Sequence, residues 1–281
     1  MKHFSFTANI DYLRRNDEEI THLITANRVI KALEIAGQKQ VIEIHEAGDG
    51  GLAIEGCQGD KHEVQTFIDD WFDLSTDLTP FYEMAAVDRL LAGPAERFYG
   101  LRLMGIPDLF EALSWAIIGQ QIHLNFAYTI KKRIVETYGE HVGFGAHTLY
   151  LFPKPERIAA CTPEELVRLQ LSRRKSEYLI NVARLIADGQ LQKAELIKDL
   201  PKAHHTLTSI RGIGPWTANY VRMRCLRDPD AFPIDDVGFQ NAVRIALQRQ
   251  EKPSKEELHV LARHWEGFTA YAVFYLWRLL Y

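Results

Sequence analysis

The first sixty residues alternate apolar and polar positions, and the period then lengthens to that of a helix. Phe4-Ser5-Phe6-Thr7-Ala8 has the two-residue period of a strand. Val41-Ile42-Glu43-Ile44-His45 and Gly51-Leu52-Ala53-Ile54-Glu55 flank Gly48-Asp49-Gly50, a hairpin signal, and one early helix is expected among these strands. From Lys61 to Leu74 the apolar positions Val64, Phe67, Ile68, Trp71 and Phe72 fall on one helical face. Beyond about residue 80 the pattern is helical throughout. Pro107 opens a helix over Leu109 to Gln121, and another follows from Leu124 to Tyr138. Thr162-Pro163-Glu164-Glu165 is a helix start, with acids at the positive end of the dipole. Ser172 to Asp188, Ser254 to Trp265 and the aromatic-rich Thr269 to Leu280 complete the set. The class expected is α+β: a small antiparallel sheet with covering helices over residues 1–80, then a helical part over 81–281.

Composition narrows the choices. The chain has 281 residues, 47% of them hydrophobic, enough for a sizeable core and two or three modules. No run approaches the roughly 18 apolar residues of a membrane helix, and the start Met1-Lys2-His3 lacks a signal-peptide pattern. A cytoplasmic protein without a membrane partner is expected. Cys57, Cys161 and Cys225 are too scattered for a disulfide framework, a zinc site or an iron–sulfur cluster. His204-His205 lacks a third ligand at useful spacing and reads as a solvated pair. The net charge of −4 argues against nucleic acid at first sight. Its distribution is uneven: residues 1–90 carry 8 Lys/Arg against 17 Asp/Glu, whereas 91–281 carry 25 against 20. A basic face in the later part suits a phosphate-bearing partner, although ordinary surface asymmetry would produce the same figures.

The chemistry concentrates in Leu207-Thr208-Ser209-Ile210-Arg211-Gly212-Ile213-Gly214-Pro215-Trp216-Thr217-Ala218. Gly212 and Gly214, between two helices, can take positive φ and leave backbone N–H groups uncovered where the next helix starts. Such amides suit a DNA phosphate and read position rather than base sequence. A plain helix–helix corner would use the same glycines. Twenty residues on, Phe232-Pro233-Ile234-Asp235-Asp236-Val237 places two carboxylates where a helix begins. Each could be a cap or a first-turn acid. Either, held near the hairpin, could instead stabilise the positive charge that develops on a sugar as its glycosidic bond breaks, and orient the attacking water.

Taken together, the hairpin and the following aspartate resemble the helix-hairpin-helix DNA glycosylase superfamily, and within it the DNA-3-methyladenine glycosylase II (AlkA-type) branch. The likeness extends to Phe110 through Ile122, with its Ile-Gly-Gln segment, and to Phe152-Pro153, Leu171-Ser172-Arg173-Arg174-Lys175, Trp216 through Tyr220 and the terminal aromatic helix. It implies a two-lobed helical glycosylase core with the helix-hairpin-helix at about 205–226, preceded by the N-terminal sheet. It implies Asp236 as the catalytic aspartate, with Asp235 the neighbouring cap. Trp216, Tyr220 and Trp277 would form the base pocket, where electron-rich faces suit cationic alkylated purines such as 3-methyladenine and 7-methylguanine. Arg211, Gly212, Gly214 and Thr217 would meet DNA. Gln121 would fill the gap left by the flipped base, departing from the apolar residue often found there. Val237 stands where relatives can carry an aromatic. Lyase-type members place a lysine where this chain has Trp216, so no Schiff base is expected and the enzyme would be monofunctional. The carbonyls of Thr208, Ile210 and Ile213 match positions that hold a structural monovalent cation; no cofactor is required for chemistry. The expected partner is double-stranded DNA with damaged bases, bound by a monomer associated with the nucleoid. The competing class is a non-catalytic helix-hairpin-helix protein that binds damaged DNA or regulates, and it has no need of Asp236, Trp216 and Trp277 together. Arg173-Arg174-Lys175 could contact phosphates or face water.

Overall fold

Ser5 decides how the chain begins. In the computed structural model, which describes residues 2–48 and 50–281, its hydroxyl accepts the Ala8 N–H at 3.2 Å and caps a helix, Phe6–Leu13. Phe6, Ile10 and Leu13 share the buried face of that helix. This corrects the strand expected at 4–8: five alternating residues are too few to outweigh a cap followed by helical apolar spacing.

Four strands follow in sequence order: β1 (Leu23–Thr25), β2 (Arg28–Ile35), β3 (Gln38–Glu46) and β4 (Leu52–Glu55), each antiparallel to the next. Ile35 pairs with Gln38 across Ala36-Gly37, and both turn residues have positive φ (49° and 77°), the twist a tight hairpin favours. The β3–β4 hairpin lies where the sequence places it, although Asp49 of its turn falls outside the described residues. Val29, Leu33, Ile42 and Ile44 form the inner face of the sheet. The outer face is covered as well. There a two-stranded hairpin, β5 (His141–Phe144) and β6 (His147–Tyr150), brings Leu149 against Ile30 and Ala32. This hairpin interrupts the run of helices expected after residue 80; four-residue strands containing Gly143 give almost no period to detect.

The other elements meet expectation closely. Lys61–Phe72, Leu109–Gly119, Leu124–Tyr138 and Arg173–Ala187 are helices, and Thr162 closes a capping box with Glu165 ahead of Pro163–Arg168. Every residue of the last long helix, Thr269–Trp277, is buried. One hydrophobic cluster runs from the inner face of the sheet through Leu109–Gly119 to this helix. Tyr12 packs on Phe274 (ring centres 4.7 Å apart) and Phe81 on Tyr275 (4.9 Å), so the first and last helices share a core. Each fully buried large apolar side chain contributes about 1.5–3 kcal/mol. Against this support pack the paired helices Leu200–Thr208 and Pro215–Arg224, followed by Val237–Ala246, and these carry the candidate site.

Candidate active site

Gly212 has φ 95°, and a Cβ there would lie 2.2 Å from a Tyr178 ring carbon, so both conformation and space demand glycine. Gly214 differs from expectation. It is extended (φ −86°, ψ 177°) and serves as N-cap of Pro215–Arg224, so its value lies in the missing side chain; nothing lies within 4 Å of where a Cβ would stand. Pro215 occupies the first helical position and leaves the following N–H groups without intrahelical acceptors at the positive end of the dipole. The turn is closed by Ile213 N–H donating to the Ile210 carbonyl at 3.0 Å. Arg211 is exposed, makes a long contact with Glu177 at 3.4 Å and lies 5.7 Å from the centre of the Tyr178 ring.

The Leu109–Gly119 helix is tied to this turn by a residue the sequence reading passed over. Gln120 donates from Nε2 to the Gly212 carbonyl (2.9 Å) and to the Thr217 hydroxyl (3.0 Å). Thr217, expected to meet DNA, is 2% exposed, so its side chain braces the hairpin from inside. Lys175 also turns inward. Its ammonium donates to the carbonyls of Ile118 (2.8 Å) and Gln120 (2.5 Å), and desolvation pulls it below the ordinary lysine range. It therefore neutralises the negative end of that helix. Arg173 pairs with Glu164 and Glu177. Gln121, immediately after the braced end, has φ 55° and projects into solvent.

Asp236 is itself the N-cap of Val237–Ala246, and Asp235, the expected cap, is an exposed partner of Lys255. The Asp236 carboxylate receives three N–H donors. Oδ1 accepts from the Phe239 amide (2.6 Å) and Trp277 Nε1 (2.8 Å), and Oδ2 from Trp216 Nε1 (2.8 Å). Gly238 permits this closure, since a Cβ there would stand 2.9 Å from Oδ1. A glycine in the first turn after the aspartate was the signal available for it. Tyr220 lies between the indoles, its ring 5.7 Å from Trp216 and 6.1 Å from Trp277. Trp277 is 7% exposed, so it packs in the core and orients the aspartate at once. Three expected pocket residues and the expected aspartate are thus brought together. Val237 is exposed beside them.

A cap-and-clamp aspartate beside a glycine hairpin, on this helical scaffold, defines a class. Residues 114–266 match the HhH-GPD superfamily of base excision DNA repair proteins and residues 4–113 match the N-terminal domain of 8-oxoguanine DNA glycosylase. The chain belongs to the HhH-GPD superfamily. It is 44% identical to the DNA-3-methyladenine glycosylase of Bacillus subtilis over 99% of this chain and 94% of that one. It is 32% identical to DNA-3-methyladenine glycosylase 2 of Escherichia coli over 63% of this chain and 60% of that one. The solved 3-methyladenine DNA-glycosylase of Archaeoglobus fulgidus superposes with a TM-score of 0.86 at 26% identity, covering 99% of this chain and 96% of that one.

Proposed function

We propose that this protein is a monofunctional DNA glycosylase that flips alkylated purines out of double-stranded DNA and hydrolyses their N-glycosidic bond. The observation that carries the reading is the Asp236 carboxylate, clamped by two indole N–H groups and a backbone amide beside the hairpin. The relatives are DNA-3-methyladenine glycosylases, which supports the same substrate class.

In this mechanism the free amides after Gly214, together with Arg211, grip the phosphate backbone, and Gln121 enters the space the flipped base vacates. The base stacks among Trp216, Tyr220 and Trp277. A cationic alkylated purine gains about 0.5–2 kcal/mol on such faces and is already a good leaving group. As the bond lengthens, positive charge grows on the sugar, and the fixed carboxylate stabilises it without reorganising. Oδ2 keeps a lone pair that orients the attacking water. Trp216 offers no amine, so no covalent imine forms and an abasic site remains. A monovalent cation on the carbonyls of Thr208, Ile210 and Ile213 would add positive charge where a phosphate docks. Ile210 suits this, because its carbonyl spends one lone pair on Ile213 and retains another. We place the enzyme in the cytoplasm, acting as a monomer on the nucleoid. A non-catalytic binder would leave the convergence of Asp236, Trp216 and Trp277 without purpose.

The test is chromatography of bases released from methylated DNA, with parallel gels of the strand. Free 3-methyladenine or 7-methylguanine should appear while the strand stays intact until alkali is added. DNA binding with no free base would favour the binder, and alkali-independent breakage a lyase.

A further inference from the structure

Gln121 leaves the Leu109–Gly119 helix both exposed and strained. Its φ of 55° is left-handed, a conformation that a residue with a side chain adopts at a cost and keeps only where its surroundings fix it. Here the neighbours do the fixing. Ile122 packs against the hydrophobic core on one side. On the other, Gln120 is held at three points. Its N–H donates to the Ile117 carbonyl at 3.3 Å, its carbonyl accepts from the Lys175 ammonium at 2.5 Å, and its side chain reaches the hairpin.

That last contact requires an amide. Gly212 presents a carbonyl, which can only accept, so the Gln120 nitrogen must face it (2.9 Å). The same nitrogen carries a second N–H, and the Thr217 hydroxyl accepts it at 3.0 Å. A glutamate would set lone pairs against lone pairs, and an apolar residue would donate nothing. Gly212 and Thr217 flank Gly214-Pro215-Trp216, where the uncovered amides of the next helix begin. One glutamine thus joins two left-handed positions, Gly212 at 95° in the phosphate-facing turn and Gln121 at 55° beside it. Strain of this kind is retained where the direction it gives a side chain is used.

We propose that Gln120 is a positioning residue for base flipping: it locks Gln121 to the hairpin, so that phosphate capture and entry of Gln121 into the duplex are one rigid movement. The inference rests on the glycosylase reading and deepens it by naming what couples backbone grip to extrusion. Gln120 acts through Gln121 and not on the reacting atoms. Without the tie, Gln121 relaxes to an unstrained backbone, and its side chain no longer points where a hairpin-bound phosphate places the flipped nucleotide.

Gln120→Met keeps the length of the side chain and removes both donors. It should melt normally and bind undamaged duplex within a few fold of the unaltered enzyme. Single-turnover release from methylated DNA should fall at least about tenfold. The emission of a fluorescent base analogue placed beside the lesion, which rises as stacking is lost, should rise less. A double-mutant cycle separates positioning from a general structural loss. Gln121→Ala should slow release about tenfold in the unaltered background but less than about twofold on top of Gln120→Met, because a wedge already loose has little left to lose. Thr217→Val, which keeps the shape and removes one acceptor, should show the same non-additivity with a smaller loss, whereas Thr217→Ser should keep the rate. This pair carries the test if Gln120→Met fails to fold. Loss by the same factor from Gln121→Ala in both backgrounds, or release by a folded Gln120→Met within about twofold of the unaltered enzyme, would overturn the proposal. Release of no base by the unaltered enzyme would instead remove the glycosylase reading, and this one with it.

Discussion

Two indoles and an amide leave the Asp236 carboxylate little freedom to rotate, and that fixity is what a developing charge requires. Trp216→Phe keeps the ring but removes the donor to Oδ2. Single-turnover base release should fall about tenfold or more, a loss of roughly 1.4 kcal/mol in the transition state, with DNA affinity changed little. A rate within twofold of the unaltered enzyme would show the indole N–H to be irrelevant. Gly212→Ala forces both a left-handed backbone and a collision with Tyr178. It should cost about 1–3 kcal/mol, read as a lowered melting midpoint. At this scale the sequence was informative about residue types and poor about geometry. It singled out Asp236, Trp216 and Trp277, yet the division of labour between Asp235 and Asp236 depends on which carboxylate meets the Phe239 amide. Gln120, Lys175 and Gly238 act only through neighbours that folding supplies.

Helices act on the site through their ends. Lys175 holds the last carbonyls of Leu109–Gly119 in place just before Gln121 leaves the helix. Lys175→Met keeps the stem but orphans those carbonyls. It should lower stability by about 1–2 kcal/mol and weaken DNA binding, as measured by chemical denaturation and by titration of a fluorescent duplex. Arg211, at the hairpin, is exposed beside Glu177 and the Tyr178 ring. If it faces a phosphate, Arg211→Ala will weaken binding to all sequences alike and reduce the salt slope by about one. An unaltered slope would remove it from the interface. Long, strongly periodic helices were legible in the chain, as was the cap at Thr162. An early helix was expected, but its place at Phe6–Leu13 was not legible, because one residue's hydroxyl outweighs a short alternation. The β5–β6 hairpin was not either, because it owes its existence to the outer face of a sheet far away in sequence.

At the scale of the whole molecule, charges buried between the sheet and the helices make stability depend on pH. Burial holds the His22 imidazole down to about 4, from an ordinary 6.5. Below pH 6.5 the unfolded chain therefore takes up a proton that the folded one refuses until about pH 4. Stability should fall across that window by on the order of 2–3 kcal/mol. Glu19 adds to the loss further down. Burial alone would raise its carboxyl, but Lys131, at 2.8 Å, holds it far below the usual range, so its contribution disappears as acid protonates it. Denaturant midpoints at pH 7.5, 5.5 and 4.5 should decline in that order, and a flat profile would contradict the burial of His22. The uneven charge along the chain pointed towards phosphate without locating the cavity that Tyr12, Arg15 and Arg224 help to line between the sheet and the helices. Arg15 and Arg224 come together across 208 intervening positions, which no local pattern records.

We propose that Asp236 performs the chemistry in a cleft built to present it. The decisive measurement is single-turnover release of 7-methylguanine from one methylated duplex, by unaltered enzyme and by Asp236→Asn, with affinity for that duplex measured alongside. Asparagine keeps the size of the cap but removes the negative charge. Release should fall at least about a hundredfold while affinity stays within a few fold. Undiminished release by Asp236→Asn would contradict the account.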